Sequence, residues 1–117
     1  MIKLVMLVAR QEELSPEAFA RHYREQHLPL LAKLPGLRRL VVNHVLPDPN
    51  APPRPYDAIA EDWFDDLAAM GAALKSPEGQ AVFTDAASFL DMSRLQLFVV
   101  EEEDIPLPPG TVGVPVG

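Results

Sequence analysis

The chain has 117 residues, no cysteine and a formal net charge of −7, and 48% of its residues are hydrophobic. This length suits one domain with one core, and the negative charge argues against nucleic acid and anionic membrane surfaces as partners. Without cysteine there is no disulfide framework, no thiolate metal site and no cysteine nucleophile.

The N-terminus carries a short apolar run that does not have the form of a targeting segment. Residues 1–9 are followed at once by Arg10 and by two glutamates. The run is shorter than the apolar region of a signal peptide, and no other run approaches the roughly 20 residues of a membrane span. The sequence therefore predicts a cytoplasmic protein.

The first part of the chain predicts a buried strand and then a long helix. Residues 2–9 are apolar and rich in branched side chains, as in a strand buried on both faces. Ser15 followed by proline is a typical helix start. Apolar and aromatic residues then recur every three or four positions, so that one helix face carries Phe19, Tyr23, His27, Leu30 and Leu34. Pro29 should kink this helix, and the Pro-Gly pair at 35–36 should end it.

The rest of the chain predicts three more strands and a second helical region. The strands are residues 37–46, 57–64 and 95–101, with a proline-rich loop at 47–56. Asp65 should cap a short helix, Ser76 should start another, and residues 84–90 should form one more helical turn. A domain of residues 1–105 would then be followed by a tail, residues 106–117, that is rich in proline and glycine.

The element order β-α-β-β-α-β predicts an α+β fold of the ferredoxin-like type, a four-stranded antiparallel sheet with helices on one face. In the first strand Leu4 and Met6 alternate with Val5 and Leu7, so both faces of the sheet are apolar. Helices cover only one face, and the other face predicts a second subunit and hence a homodimer.

His27 is the first candidate for chemistry. It lies in the apolar stripe of the first helix, and its ordinary pKa of about 6.5 lets it exchange a proton near neutral pH. On spacing alone, a core histidine with one satisfied hydrogen bond explains the position better than a catalyst does. His22 is five residues away, about 140° around an α-helix, so the two histidines should not chelate one metal ion.

The third strand offers a carboxylate. Strand alternation places Asp62 on one face and Glu61 on the other, and in a central strand one of the two can be buried with a raised pKa. The pattern alone does not tell which of them is solvated. On the second strand, His44 shares a face with Leu40, and a histidine near a strand end is more typical of a surface or an interface.

Together these segments resemble the EthD family over residues 1–103. The matching pieces are Ser15-Pro-Glu-Ala-Phe19, Tyr23 to His27 with Pro29, Leu34-Pro-Gly-Leu-Arg-Arg39, Asn43-His44, Tyr56-Asp57, Ile59-Ala-Glu-Asp-Trp-Phe-Asp65, Ser76-Pro-Glu-Gly79 and Phe89-Leu-Asp91. The resemblance implies a dimeric α/β barrel.

The chain is also similar to the methylmuconolactone methylisomerases, which are cofactor-free enzymes. In that resemblance a first-helix histidine matches His27, a third-strand cysteine matches Asp62, and a second-strand tyrosine matches Leu40. Leu40, His44 and Asp62 would then line a pocket with His27, whereas Glu61 would not. Because aspartate and leucine replace cysteine and tyrosine here, the resemblance implies the pocket and its histidine rather than the isomerase reaction.

These residues support three hypotheses. In the first, a cofactor-free enzyme of isomerase or cyclase type uses His27, paired with Asp62, to transfer a proton on a lactone or polyketide-like compound, with Tyr23 and Phe19 as apolar surface. In the second, the same pocket serves a non-catalytic accessory or ligand-binding protein. In the third, His27 is a haem ligand, which a Soret band would reveal. The first two need no metal and no cofactor.

Overall fold

The computed structural model describes residues 1–110 and has the ferredoxin-like α+β architecture that the element order predicts. Its strands are Ile2–Val8 (β1), Arg39–His44 (β2), Ala58–Phe64 (β3) and Gln96–Glu101 (β4). They form one antiparallel sheet in the order β2-β3-β1-β4, so β1 and β3 are central. The predicted tail lies partly outside the described residues.

The helices are Pro16–His22 (α1), a π-helical turn Tyr23–His27, Leu28–Leu31 (α2), Leu67–Lys75 (α3) and Pro77–Phe89 (α4). Ser15 and Ser76 cap α1 and α4, and each side chain accepts the backbone N–H three residues further on, as the Ser-Pro-Glu starts predict. None of the helices within residues 1–110 has the length and hydrophobicity needed to cross a membrane.

Two details of the helix prediction are wrong. The cap of α3 is Asp66, which accepts the N–H of Ala69 at 2.8 Å; Asp65 instead forms an exposed ion pair with Arg38 at 2.9 Å. Residues 84–90 are not a separate turn, because α4 continues unbroken to Phe89. No glycine or proline follows Gly79 in this helix to interrupt it.

The first helical region contains a π-turn where a kink was predicted. The N–H of Leu28 donates to the carbonyl of Tyr23, five residues back. Pro29 lacks the N–H that would continue the α-helical ladder, and the helix widens in the turn just before it. Such turns are rare, and many of those that occur lie at functional sites.

The helices cover the sheet face that carries Leu4 and Val8. Two adjoining clusters of buried side chains form the core there, one around Phe19, Tyr23 and Phe89, the other around Leu31, Phe64 and Met70. On the opposite face Val5 and Leu7 are half-buried and Phe98 is exposed. No helix of residues 1–110 covers that face, which is hereafter called the open face.

Candidate functional site

A cavity lies between the sheet and the helices, and every layer of the fold contributes to its lining. The lining residues are Leu4, Met6 and Val8 of β1, Tyr23, His27, Leu31 and Leu34 of the first helical region, Asp62 of β3, Leu74, Gly79, Val82, Phe83 and Ala86 of α3 and α4, and Leu90, Leu95 and Leu97. Within residues 1–110, only Tyr23, His27 and Asp62 bring polar side chains to this lining. A mostly apolar cavity with a few convergent polar groups is the usual form of a small-molecule site.

Asp62 is a buried carboxyl with an unpartnered oxygen. The residue is 2% exposed, and its Oδ1 has no hydrogen-bond partner within the described part of the chain. In the sheet it lies opposite Leu4 on one side and Leu40 on the other. Burial in this apolar row raises the pKa of Asp62 to about 7. Near neutral pH the carboxyl is therefore present in both protonation states and is able to donate or accept.

Glu61 faces the open face instead. It pairs with Lys3 at 2.7 Å and accepts from Asn43 at 3.0 Å. These two hydrogen bonds lower the pKa of Glu61. The sequence pattern left open which of these two carboxylates is solvated. The neighbouring strands decide this, because a lysine lies beside Glu61 and leucines lie beside Asp62.

His27 is buried in the cavity wall and is oriented by Asp85 of α4. The histidine is 5% exposed, and its Nδ1 lies 2.9 Å from Oδ2 of Asp85. When Nδ1–H donates to that carboxylate, Nε2 keeps its lone pair. Burial lowers the pKa of His27, and the hydrogen bond to Asp85 opposes this shift. The imidazole is therefore a neutral base at neutral pH.

The hydrogen bond predicted between His27 and Asp62 is not formed within residues 1–110, although both residues line one cavity. Asp85 takes the place of Asp62 as the partner, from a helix 58 residues away in the sequence. One signal could have indicated Asp85: it precedes Phe89 by four residues on α4, which places it on the same helix face as a buried aromatic ring. The histidine stripe and α4 are too far apart in sequence for periodicity to pair them.

The π-turn brings a second histidine to Asp85. Nε2 of His22 lies 3.0 Å from Oδ1 of Asp85. The separation of about 140° expected between His22 and His27 applies to a regular α-helix. The hydrogen bonds of the π-turn span five residues and reduce this separation, so that both side chains reach Asp85. In the described chain, no group of three or more His, Cys, Asp or Glu residues is arranged to hold a metal ion.

Tyr23 is the third polar group of the cavity. It is 2% exposed, and its ring meets that of His27 edge-on at a centroid distance of 5.4 Å. Burial raises the pKa of Tyr23, and the nearby charge of Asp62 raises it further. The phenol therefore stays protonated and its hydroxyl remains a donor.

The other predicted ligand contacts lie away from the cavity lining. Phe19 packs in the core against Tyr23 and Phe89, at 5.6 Å from each ring. Leu40 is half-buried against the cluster around Phe64, and His44 is exposed at the end of the edge strand β2. Their roles in binding remain predictions.

Residues 11–93 match the EthD domain. A protein of Rhodococcus erythropolis, described as an uncharacterized 11.0 kDa protein in the thcB-thcC intergenic region, is 35% identical over 91 residues, which are 78% of this chain and 87% of that protein.

Many solved structures have a similar fold. An EthD family protein from Bacillus halodurans is 30% identical with a TM-score of 0.75, and the match covers 88% of this chain and all of that chain. A protein from Bacteroides fragilis, described as dimeric, of unknown function and with a ferredoxin-like fold, is 16% identical with a TM-score of 0.64, over 86% of this chain and 95% of that chain.

Proposed function

The chain belongs to the EthD family, and we propose that it binds a small, uncharged organic carbonyl compound in the cavity and transfers a proton on it through His27. One observation carries the proposal: a buried carboxyl with an unpartnered oxygen and an imidazole oriented by Asp85 line a single apolar cavity. An unsatisfied buried polar group costs about 1–3 kcal/mol, so a ligand that hydrogen-bonds Asp62 gains affinity from it.

In this mechanism His27 is the base. Its Nε2 takes a proton from a carbon next to the carbonyl, so the C–H bond breaks and an N–H bond forms. The hydrogen bond from Nδ1–H to Asp85 stabilises the resulting imidazolium. The electron pair moves to the carbonyl oxygen, where protonated Asp62 donates a hydrogen bond to the developing charge. Return of the proton to another carbon gives an isomer without any cofactor.

The lining restricts the class of substrate. Among residues 1–110 it contains no lysine or arginine, so the charge of a phosphate or carboxylate ligand would be left unpaired at a high desolvation cost. Three polar groups suffice for one carbonyl and one further oxygen. A lactone or a polyketide-like ring with few polar groups fits this lining best.

The proposal is tested by the exchange of hydrogen for deuterium. The protein is incubated in D₂O with a β,γ-unsaturated γ-lactone, whose acidic C–H bonds are on the carbon next to the carbonyl, and NMR follows the loss of their signal. The wild type should accelerate exchange over buffer, His27→Gln should abolish the acceleration, and Asp62→Asn should reduce it. Glu61→Gln, a carboxylate change on the open face, is the matched control and should keep the wild-type rate.

Exchange that persists in His27→Gln would contradict the assignment of the base. Saturable binding of the lactone without any exchange would favour the second function, a non-catalytic accessory protein, because the apolar lining alone supports binding.

We infer in addition that the open face is the interface of a homodimer. Val5 and Leu7 on this face are half-buried and Phe98 is exposed, and an apolar surface of this kind is stabilised by a partner. A second copy of the chain offers the same surface, which a two-fold axis pairs with itself. The similar protein from Bacteroides fragilis is described as dimeric.

A further inference from the structure

One carboxylate holds two imidazole rings beside the cavity. Nε2 of His22 lies 3.0 and 3.1 Å from the two oxygens of Asp85, and Nδ1 of His27 lies 2.9 Å from Oδ2. Both rings also pack on Phe89, with centroid distances of 4.3 and 4.9 Å. The arrangement depends on the π-turn, because residues five apart would diverge on a regular α-helix.

The two histidines differ in their access to solvent. The side chain of His22 is 29% exposed, whereas that of His27 is 6% exposed and lines the cavity. The Asp85 side chain, 18% exposed, links them. The proton on His22 therefore equilibrates directly with solvent, while His27 is the ring that a bound molecule meets.

A single carboxylate neutralises only one imidazolium. When His22 is charged, it neutralises the negative charge of Asp85 and repels a second positive charge on His27. In the part of the chain that the structure describes, the other titratable groups that face His27 are Asp62 from β3 and Tyr23 on the same helix, and the remaining lining residues are apolar or glycine. Asp85 and His22 thus dominate the electrostatics on the Nδ1 side of His27.

We propose that His22 is a positioning residue that acts on His27 through Asp85. When His22 is uncharged, it holds the Asp85 carboxylate in place beside His27. When His22 is charged, it pairs with Asp85, so that the carboxylate stabilises the imidazolium of His27 less and His27 is a weaker base. The consequence for catalysis rests on the proposed function, but the coupling between the two rings requires no ligand and is measured without one.

The test is an NMR titration of the histidine ring protons in the full chain. His22→Gln keeps a donor to Asp85 and removes the titratable charge, so the His27 pKa should rise by about 0.5–1 unit, a three- to tenfold gain in proton affinity. His22→Arg carries its charge at every pH, so the His27 pKa should fall below the wild-type value. Arg24→Gln removes one positive charge from an exposed position of the same turn and should change the His27 pKa by less than about 0.2 unit.

Shifts of opposite sign in the Gln and Arg variants support the proposal. Unchanged titration in both variants would overturn it, and so would a shift of the same sign in both, since that would reflect lost packing on Phe89 rather than charge. Circular dichroism checks that each variant is folded, and His22→Lys replaces His22→Arg if the guanidinium is not accommodated.

Coupling without deuterium exchange would refute the proposed function alone, and exchange without coupling would refute the role of His22 alone.

Discussion

The buried carboxyl of Asp62 links the stability of the protein to pH. Its pKa in the folded protein, about 7, lies above the ordinary value of 3.8. A group whose folded pKa is raised stabilises the protein fully below the unfolded pKa, and this stabilisation is lost as the pH rises through the folded pKa. The difference between the two values corresponds to at most about 4 kcal/mol.

Asp62→Asn should remove this pH dependence. Urea unfolding at about pH 5 and about pH 8 should show that the wild type loses more of its unfolding free energy than the variant between the two conditions. The lowered pKa of His27 acts in the opposite sense in both proteins, so most of its contribution cancels and the difference between them reports mainly on Asp62. If the unfolding free energies of the wild type and the variant differ by the same amount at both pH values, Asp62 does not titrate as a buried acid.

The pKa of His27 should depend on Asp85 more than on Asp62. Asp85→Asn keeps the shape of the side chain and removes the charge that opposes burial, so the His27 pKa should fall by about one unit. Asp62→Asn should lower it less, because Asp62 makes no hydrogen bond to His27 within the described residues. Glu61→Gln should leave it unchanged. In the same ring-proton titration, a larger change of the His27 pKa in Asp62→Asn than in Asp85→Asn would contradict this and would favour the pair of His27 and Asp62 that the sequence predicted.

At the level of helices and strands, local signals predicted most of the fold. The Ser-Pro-Glu starts before α1 and α4 give correct caps, and the order of the elements gives the correct sheet. Alternation along β3 correctly separates Asp62 from Glu61, since one lies in the core and the other pairs with Lys3. The cap and alternation signals are each contained in a few consecutive residues, and the order of the elements follows from such local signals.

The features that the sequence did not predict depend on contacts between distant segments. A helical wheel assumes 3.6 residues per turn and therefore cannot detect that the π-turn aligns His22 with His27. The partner of His27 comes from α4, and the leucines that bury Asp62 come from β1 and β2. These features are also the ones that define the candidate site.

The junction of α3 and α4 sets one wall of the cavity, and its geometry requires Gly79. A Cβ at this position would lie 2.5 Å from the carbonyl oxygens of Ala73 and Leu74, so Gly79→Ala must displace backbone. We expect a loss of about 2 kcal/mol or more in unfolding free energy. Gly71→Ala is the control: a Cβ there meets nothing within 4 Å, and the helix should gain up to about 1 kcal/mol. Equal thermal melts of the two variants would contradict the close approach at Gly79.

For the whole molecule, we expect a dimer that forms through the open face. Sedimentation equilibrium at micromolar concentration should give twice the mass of the 12.9 kDa chain. Phe98→Lys places a charge on this face at a residue that is 46% exposed in the single chain, and it should shift the protein towards monomer. Leu67→Lys, at an exposed position of α3, should remain dimeric. A wild type that sediments as a folded monomer would show that the open face is solvated.

The central claim, that an organic ligand occupies the cavity rather than the open face, is tested most directly by an NMR titration with the γ-lactone. The ring of His27 and the methyl groups of Leu4 and Leu97 line the cavity, whereas the indole of Trp63 lies between Lys3 and Arg39 on the other side of the sheet. Saturable shifts at the three cavity residues, with the Trp63 indole unchanged, are the predicted result. Saturable shifts at Trp63 with His27 unchanged would contradict the claim.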